Sequence, residues 1–415
     1  MNPSIAVERH VPSTLKQAAP VFLAFAFAYF LSALLRAVTA TLAPVFSVEL
    51  GLQAADLGLL AGAYFFGFAA MQLPLGQALD RFGPRQVLLV MLSVAVLGCV
   101  AFALARSLAG LIAARTLIGM GVAACLMAPL TCYRSLLDAS SQLRANSWML
   151  MTGSLGMVAS TVPAQWLLPH LGWRGLFAAL AVLLCVAAAL IGSLAPRGAA
   201  QMPLAGPQGS YRVIMRHSAF VAMAPVAFFS YGGLIAVQSL WAGPWLTQVA
   251  GWSADQAAQG LFFINLCMLF AFLAWGALMP RLVKAGISAR RLIGWGLPSS
   301  MLMLAVIVAL GPAAGAASWA VWCVLSTFVA PSQPALGQVF PAALAGRALS
   351  AFNLVIFAGV FCVQWGIGLA IDALLAAGWS RVAAFQGAFG AFGLCCMASQ
   401  AWLLMAPWPN ADNPH

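Results

Sequence analysis

Residues 76–85 read GQALDRFGPR and separate two long apolar runs. The stretch holds three charges, Asp80, Arg81 and Arg85, and its glycines and proline favour a turn. The apolar run on each side is about as long as the ~20 residues that a helix needs to cross a bilayer. The stretch is therefore predicted to be a short polar loop between two membrane-spanning helices.

The composition of the whole chain agrees with a membrane protein. Of its 415 residues, 63% are hydrophobic and 7% are charged, whereas soluble domains contain about 45–50% apolar and about 25% charged residues. The net charge of +11 does not indicate nucleic-acid binding, because the 19 Lys and Arg residues lie between apolar runs and form no basic face. A transmembrane β-barrel is excluded because barrel strands alternate apolar and polar residues over about 10 positions.

The apolar runs predict twelve spans, and the longest polar stretch between them, 196–217, is rich in Pro, Gly and Arg. We therefore expect an N-terminal six-helix bundle (1–195), a cytoplasmic linker (196–217) and a C-terminal six-helix bundle (218–415). The predicted spans are 19–46, 55–79, 84–105, 108–132, 144–169, 173–195, 218–247, 256–279, 290–311, 316–340, 347–374 and 380–406.

The basic residues predict the orientation of these spans. Fourteen of the 19 Lys and Arg residues fall on the side of the N-terminus, three fall on the other side, and Arg36 and Arg115 fall within spans. Because positive loops stay in the cytoplasm, both termini are predicted to be cytoplasmic. The short loops and the excess of Arg over Lys favour a bacterial inner membrane.

The two halves also share a pattern at an offset of 200 residues. Matching glycines, prolines and arginines fall at span ends in the same order, which predicts a duplicated bundle; chance in a Gly- and Ala-rich chain is the alternative. The matched pairs are Pro44 and Pro244, Gly51 and Gly251, Gly76 and Gly276, and Arg81 and Arg281.

The loop at 76–85 resembles the G-x-x-x-D-R-x-G-x-R motif of the major facilitator superfamily, which occupies the same loop there. Residues 115–121, RTLIGMG, resemble the family's R-x-x-x-G-x-G motif in the fourth span. The resemblance implies an all-α membrane protein with twelve transmembrane helices in two pseudo-symmetric six-helix bundles. It also implies secondary transport by alternating access.

For the motif loop, the resemblance implies a conformational latch formed by Gly76, Asp80, Arg81, Gly83 and Arg85. Gly76 lets a helix approach closely, and Asp80 faces the N-terminus of the eleventh span. Arg81 and Arg85 are expected to hydrogen-bond the Asp80 carboxylate, so that the cluster latches the two halves together on the cytoplasmic side when the outer side is open. The alternative is a basic loop that only fixes the topology.

Two arginines lie within the spans, where a charge costs about 2.5–3.5 kcal/mol and marks a functional candidate. Arg36 shares a helical stripe with Tyr29 and Ser32 in the first span, while Arg115 belongs to the family motif. No Asp or Glu falls mid-span, so an anionic substrate would complete the ion pair. The alternative is that Arg36 bonds helix carbonyls and that Arg115 only braces its half.

The second half contributes neutral polar and aromatic residues instead of a second cation. These suit hydrogen bonds to a substrate inside an apolar pocket, or alternatively helix–helix contacts. The candidates for substrate binding are Tyr231, Gln238, Trp241, Asn265, Asn353 and Gln364.

These residues predict a transporter for a small organic anion, by proton-coupled uptake or by exchange with a counter-substrate. Residues 29–36, YFLSALLR, resemble the anion–cation symporter branch of the superfamily. Efflux of apolar or zwitterionic compounds and a non-transporting membrane sensor are the alternatives. We expect no enzyme activity, cofactor, metal or nucleic-acid partner, and a monomer in the lipid bilayer.

Overall fold

The computed structural model describes residues 18–137, 139–196 and 211–407. Its regular elements are all helical, and they give one set of helices for each half of the chain. The N-terminal half contains α1 (Ala19–Glu49), α2 (Ala54–Ala70), α3 (Gln72–Leu104), α4 (Leu108–Tyr133), α5 (Ala139–Ala159) and α6 (Val162–Leu194).

The C-terminal half is built in the same way. The main helices are α7 (Ser218–Val249), α8 (Ala254–Lys284), α9 (Ala289–Leu310), α10 (Ala316–Ser326), α11 (Ala342–Ala376) and α12 (Arg381–Met405). One short helix, Tyr211–Arg216, precedes α7, and another, Ser332–Val339, follows α10.

Nine helices of the described ranges are long and apolar enough to cross a membrane. The other three predicted spans, the second, fifth and tenth, are each divided. Turns divide them at Met71, at Ser160–Thr161 and, after a 3₁₀ segment, near Pro331. The chain thus makes the twelve transmembrane passages of the predicted fold, although three of them are not single continuous helices.

Positive-φ glycines set the reversals between passages. Gly83 (φ 77°) lies within α3 and Gly172 (φ 62°) within α6, so the first part of each helix completes the preceding passage. Such φ values favour glycine because it lacks a Cβ. Three turns of the first half have counterparts in the second half: Gly51 and Gly251, Gly83 and Gly286, and Gly172 and Gly378.

The linker predicted at 196–217 falls mainly outside the described residues, since the structure says nothing of 197–210. Its last part contains the helix Tyr211–Arg216. The domain limits 1–195 and 218–415 stay a prediction.

The halves pack closely at the end where α1 finishes and α2 begins, which we call the Glu49 end. A Cβ on Gly58 of α2 would overlap the carbonyl of Gln364, and one on Gly368 of α11 would overlap the carbonyl of Ala54. Likewise, a Cβ on Gly243 of α7 would lie 2.6 Å from the carbonyl oxygen of Ala40. Small residues let backbones approach in membranes, where the hydrophobic effect does not drive helix association.

Gly368→Ala tests this packing. We expect it to lower the thermal unfolding temperature, because an overpacked backbone contact costs about 1–3 kcal/mol. Gly366→Ala is the matched control on the same helix, since its Cβ would meet nothing within 4 Å. Thermal unfolding in detergent measures both variants; equal unfolding temperatures would contradict the packing argument.

Candidate functional site

Arg36 lies near the middle of α1 and is half-buried. Its Nη2 donates to the thioether of Met157 on α5 at 3.5 Å, and its Nε has no hydrogen-bond partner among the described residues. A thioether is a weak acceptor. No ion pair of Arg36 occurs in the part of the chain that the structure describes. The charge of this guanidinium is therefore not neutralised by any carboxylate of the described residues.

Tyrosines from three helices surround this guanidinium. Tyr29 of α1, Tyr64 of α2 and Tyr231 of α7 all interact electrostatically with Arg36. The ring of Tyr29 lies against Gly153 of α5, where an added Cβ would come within 2.5 Å of the ring. Tyr29 and Tyr231 thus both lie near Arg36, with Tyr231 from the opposite half, and their contact with a substrate stays a prediction.

Tyr64 is not among the site residues that the sequence predicts. Its hydroxyl donates to the backbone carbonyl of Ser32 at 3.3 Å, and its side chain is buried. Ser32 is also buried. Tyr64 and Ser32 therefore join α2 to α1 beside Arg36, and a substrate contact of Ser32 stays a prediction. Tyr64 lies within an apolar span, and no pattern in the sequence around it indicates this contact.

Arg115 braces α1 from within its own half. Its Nη1 donates to the carbonyl of Leu35 at 2.9 Å and its Nη2 to the hydroxyl of Thr39. The guanidinium also lies 5.2 Å from the centre of the Tyr64 ring, a cation–π distance. With 1% of its surface exposed, Arg115 fits the bracing alternative, and its contact with substrate stays a prediction.

The polar candidate residues of the second half form hydrogen bonds within that half. Gln238 donates to Asn265 at 2.9 Å, and Asn265 donates to the carbonyl of Leu261. The side-chain amide of Gln364 donates to Ser239 at 2.9 Å, while the backbone carbonyl of Gln364 accepts from the indole of Trp241 at 3.0 Å.

Asn353 accepts from Gln333 at 2.5 Å. It therefore shares the helix-linking pattern of the other amides, which satisfies buried polar groups. This conformation leaves few of their donors for a substrate, so their substrate contacts stay predictions. The side-chain oxygen of Gln364 is a free acceptor, because it is buried and has no partner among the described residues.

The latch contacts expected in the motif loop are not formed in this conformation. Asp80 is exposed and makes no hydrogen bond or ion pair within the described ranges. Arg81 lies 5.1 Å from the Phe82 ring, while Arg85 donates to the carbonyl of Gly192, near the C-terminus of α6.

Arg85 thereby satisfies a free carbonyl at a helix C-terminus, where a cation is favourable, and this replaces the expected contact with Asp80. A Cβ on Gly76 would meet nothing within 4 Å, so the expected close approach of another helix is also absent here. Gly83 supplies the turn.

Polar contacts join the halves at the Glu49 end instead. The carboxylate of Asp372 on α11 accepts from the backbone N–H groups of Ala54 and Ala55 at 3.1 and 2.7 Å. Gln165 of α6 donates to Asp255 of α8 at 3.0 Å. Asp372 and Asp255 both lie at the ends of predicted spans, and the sequence alone does not predict that they join the halves.

A cavity of about 650 Å³ lies between the halves beside these close contacts. Ser47, Gln53 and Leu57 line it from one half, and Trp241 and Gln248 from the other. Within the described ranges, no group of three or more His, Cys, Asp or Glu residues is arranged to hold a metal ion.

A model of the Major Facilitator Superfamily matches residues 25–363, which span most of both bundles. The chain belongs to the Major Facilitator Superfamily. Its structure is similar to a bacterial homolog of the human lysosomal transporter Spinster in an inward-facing, unoccupied conformation, with TM-score 0.76 and 19% identity, covering 96% of this chain and 100% of the other.

Two other superfamily structures show the same fold. The D-xylose–proton symporter has TM-score 0.72 and 17% identity, with 94% of this chain and 98% of the other covered. The nucleoside transporter NupG has TM-score 0.73 and 12% identity, with 92% and 99% covered. At these identities the likeness establishes the fold of the transporter and nothing about its substrate.

One curated relative matches over a short segment. The Probable sulfoacetate transporter SauU from Cupriavidus necator is 33% identical over 93 residues. These residues are 22% of this chain and 22% of the relative, so the match spans under a quarter of either protein.

The Gln238–Asn265 pair allows a test of the helix-linking interpretation in this transporter. Gln238→Leu or Asn265→Leu alone leaves one buried amide without its partner, whereas the double variant removes both. We expect the double variant to lose less stability than the two single losses added, by about 0.5–2 kcal/mol. Thermal or denaturant unfolding of the four proteins measures this coupling; strictly additive losses would show that the pair contributes nothing.

Proposed function

We propose that this superfamily transporter carries a small organic anion across a bacterial inner membrane by alternating access. Movement is coupled to protons or to exchange for a second anion. The guanidinium of Arg36 binds the acidic group of the substrate, and the hydroxyls of Tyr29 and Tyr231 donate hydrogen bonds to it.

The missing ion pair of Arg36 carries this proposal. A cation withdrawn from water is unfavourable unless it is paired and hydrogen-bonded, yet the half-buried Arg36 has the Met157 thioether as its hydrogen-bond acceptor and no carboxylate partner among the described residues. A carboxylate or sulfonate matches the fork of donors on a guanidinium and would complete the pair. No Lys or Arg of the second half lies mid-span, so the site suits a substrate with one acidic group at Arg36.

The positions of the tyrosines support a site to which both halves contribute residues. Tyr29 and Arg36 belong to α1, while Tyr231 belongs to α7 of the other half, within its π-helical turn Ala227–Tyr231. Such turns are rare and often occur at functional sites. A substrate held from both sides interacts differently with each conformation, and this difference couples binding to movement.

The distribution of basic residues gives the sidedness of the proposal. It places both termini and the Asp80 end in the cytoplasm, so the closely packed Glu49 end faces outward. With this sidedness the proposal takes the conformation as inward-facing, and the similarity to the inward-facing Spinster homolog supports it. The relative named as a probable sulfoacetate transporter supports an anionic substrate.

The proposed coupling of transport follows from the positions of the Asp and Glu residues. The Asp and Glu residues all map to loops, tails or span ends. Since no mid-span carboxylate is available to carry a proton, the acidic group of the substrate carries it, or a second anion moves in exchange.

Substitution of Arg36 tests the substrate class. We expect Arg36→Gln to lower uptake about 10- to 100-fold, because a charge-assisted hydrogen bond is worth about 1.5–3 kcal/mol. Uptake by Arg36→Lys is expected to lie between that of the wild type and that of Arg36→Gln, because lysine keeps the charge and loses the planar fork. Uptake of radiolabelled short carboxylates and sulfonates, sulfoacetate among them, into proteoliposomes measures the effect.

Arg106→Gln is the matched control, because Arg106 is an exposed arginine in the loop before α4. It removes the same charge and is expected to leave uptake unchanged. Anion uptake that survives Arg36→Gln at the wild-type rate would remove the anion proposal. The absence of any counterflow by the wild-type protein would instead favour a sensor on the same scaffold.

A further inference from the structure

The carboxylate of Asp372 joins the two halves through the first residues of a helix. Asp372 lies near the C-terminal end of α11, and Ala54 and Ala55 are the first residues of α2. One carboxylate oxygen accepts from Ala54 at 3.1 Å and the other from Ala55 at 2.7 Å. These first N–H groups have no partner within their own helix and carry partial positive charge, so an anion stabilises them.

This contact lies at the tightest part of the seam between the halves. One turn before Asp372, Gly368 packs on the backbone of Ala54, and further along Gly58 packs on Gln364. Asp372 and Ala54 also line the cavity of about 650 Å³ between the halves. Separation of α2 from α11 at this end would break the carboxylate contact.

The opposite end of the same helix pair carries a carboxylate that is not engaged. Because α2 and α11 run antiparallel, the passage that begins at Ala54 ends at the loop that contains Asp80. Asp80 is exposed and unbonded within the described ranges, whereas Asp372 makes two hydrogen bonds. In this conformation the engaged acid lies at the closed end.

We propose that Asp372 is a functional residue of the transport cycle that holds the Glu49 end closed. Its carboxylate stabilises the state closed at that end through the N-terminus of α2, and loss of the contact shifts the population toward the state open there. The proposal rests on the proposed transport function, but its test needs no substrate and no knowledge of sidedness.

The test uses the labelling rate of a buried reporter cysteine in purified protein. Ala61 is 1% exposed and lies on α2 between Gly58 and Gly62, which both pack on α11, so Ala61→Cys is expected to react with a maleimide when the seam opens. The more accessible native cysteines, Cys185, Cys267, Cys362 and Cys395, are first replaced by Ser. We expect Asp372→Ala to accelerate labelling about tenfold, and Asp372→Asn, which keeps one acceptor oxygen, to accelerate it less.

Asp56→Asn is the matched control, because Asp56 accepts from Gln53 at 3.0 Å at the same helix end but within one half. We expect it to label as slowly as the parent. Buried Cys99 and Cys323, which lie inside the two halves, are expected to stay unreactive in every variant.

Three outcomes would overturn the proposal. They are unchanged labelling in both Asp372 variants, equal acceleration by Asp56→Asn, and parallel acceleration at Cys99 and Cys323, which reports general loosening. Loss of anion uptake in Arg36→Gln has no bearing on this readout, so the two proposals fail separately.

Discussion

The proposed function depends on one guanidinium within a membrane-spanning helix, that of Arg36, which forms no ion pair with a carboxylate of the described residues. Arg36 is held by a thioether and surrounded by tyrosines, while its Nε finds no partner among the described residues. The surrounding helices keep the charge in a fixed place but do not satisfy it. A site in this condition favours an anionic ligand, because the ligand supplies what the fold leaves out.

The second intramembrane arginine shows why the same residue type takes two roles. Arg115 donates to the carbonyl of Leu35, next to Arg36, and to Thr39 one turn later. It fixes the position of α1 where Arg36 projects. Arg115 on α4 is thus a structural arginine, whereas Arg36 on α1 is the proposed binding arginine, and the partners of their donors distinguish them.

The helix pair α2–α11 connects this site to movement of the halves. Its glycines allow backbone contact at the Glu49 end, and Asp372 adds charge-assisted hydrogen bonds to the start of α2. At the other end the motif carboxylate Asp80 is exposed. Closure at one end with release at the other is the geometry that alternating access requires.

The sequence by itself determined the membrane class, the twelve passages, the superfamily and the central position of Arg36. Hydrophobic run length, charge placement and the motif loop are local properties, and the bilayer allows few structures that satisfy the backbone. Tyr29 and Arg36 share a helix, so their proximity also followed from spacing.

Only the tertiary structure decided which polar residues are free to act. Gln238 and Asn265 are 27 residues apart and belong to different helices, and their bond consumes groups that the sequence offered to a substrate. Arg85 likewise reaches Gly192 instead of Asp80, and Asp372 reaches Ala54 across 318 residues. Hydrogen bonds between helices depend on which faces meet, and a one-dimensional pattern contains no such information.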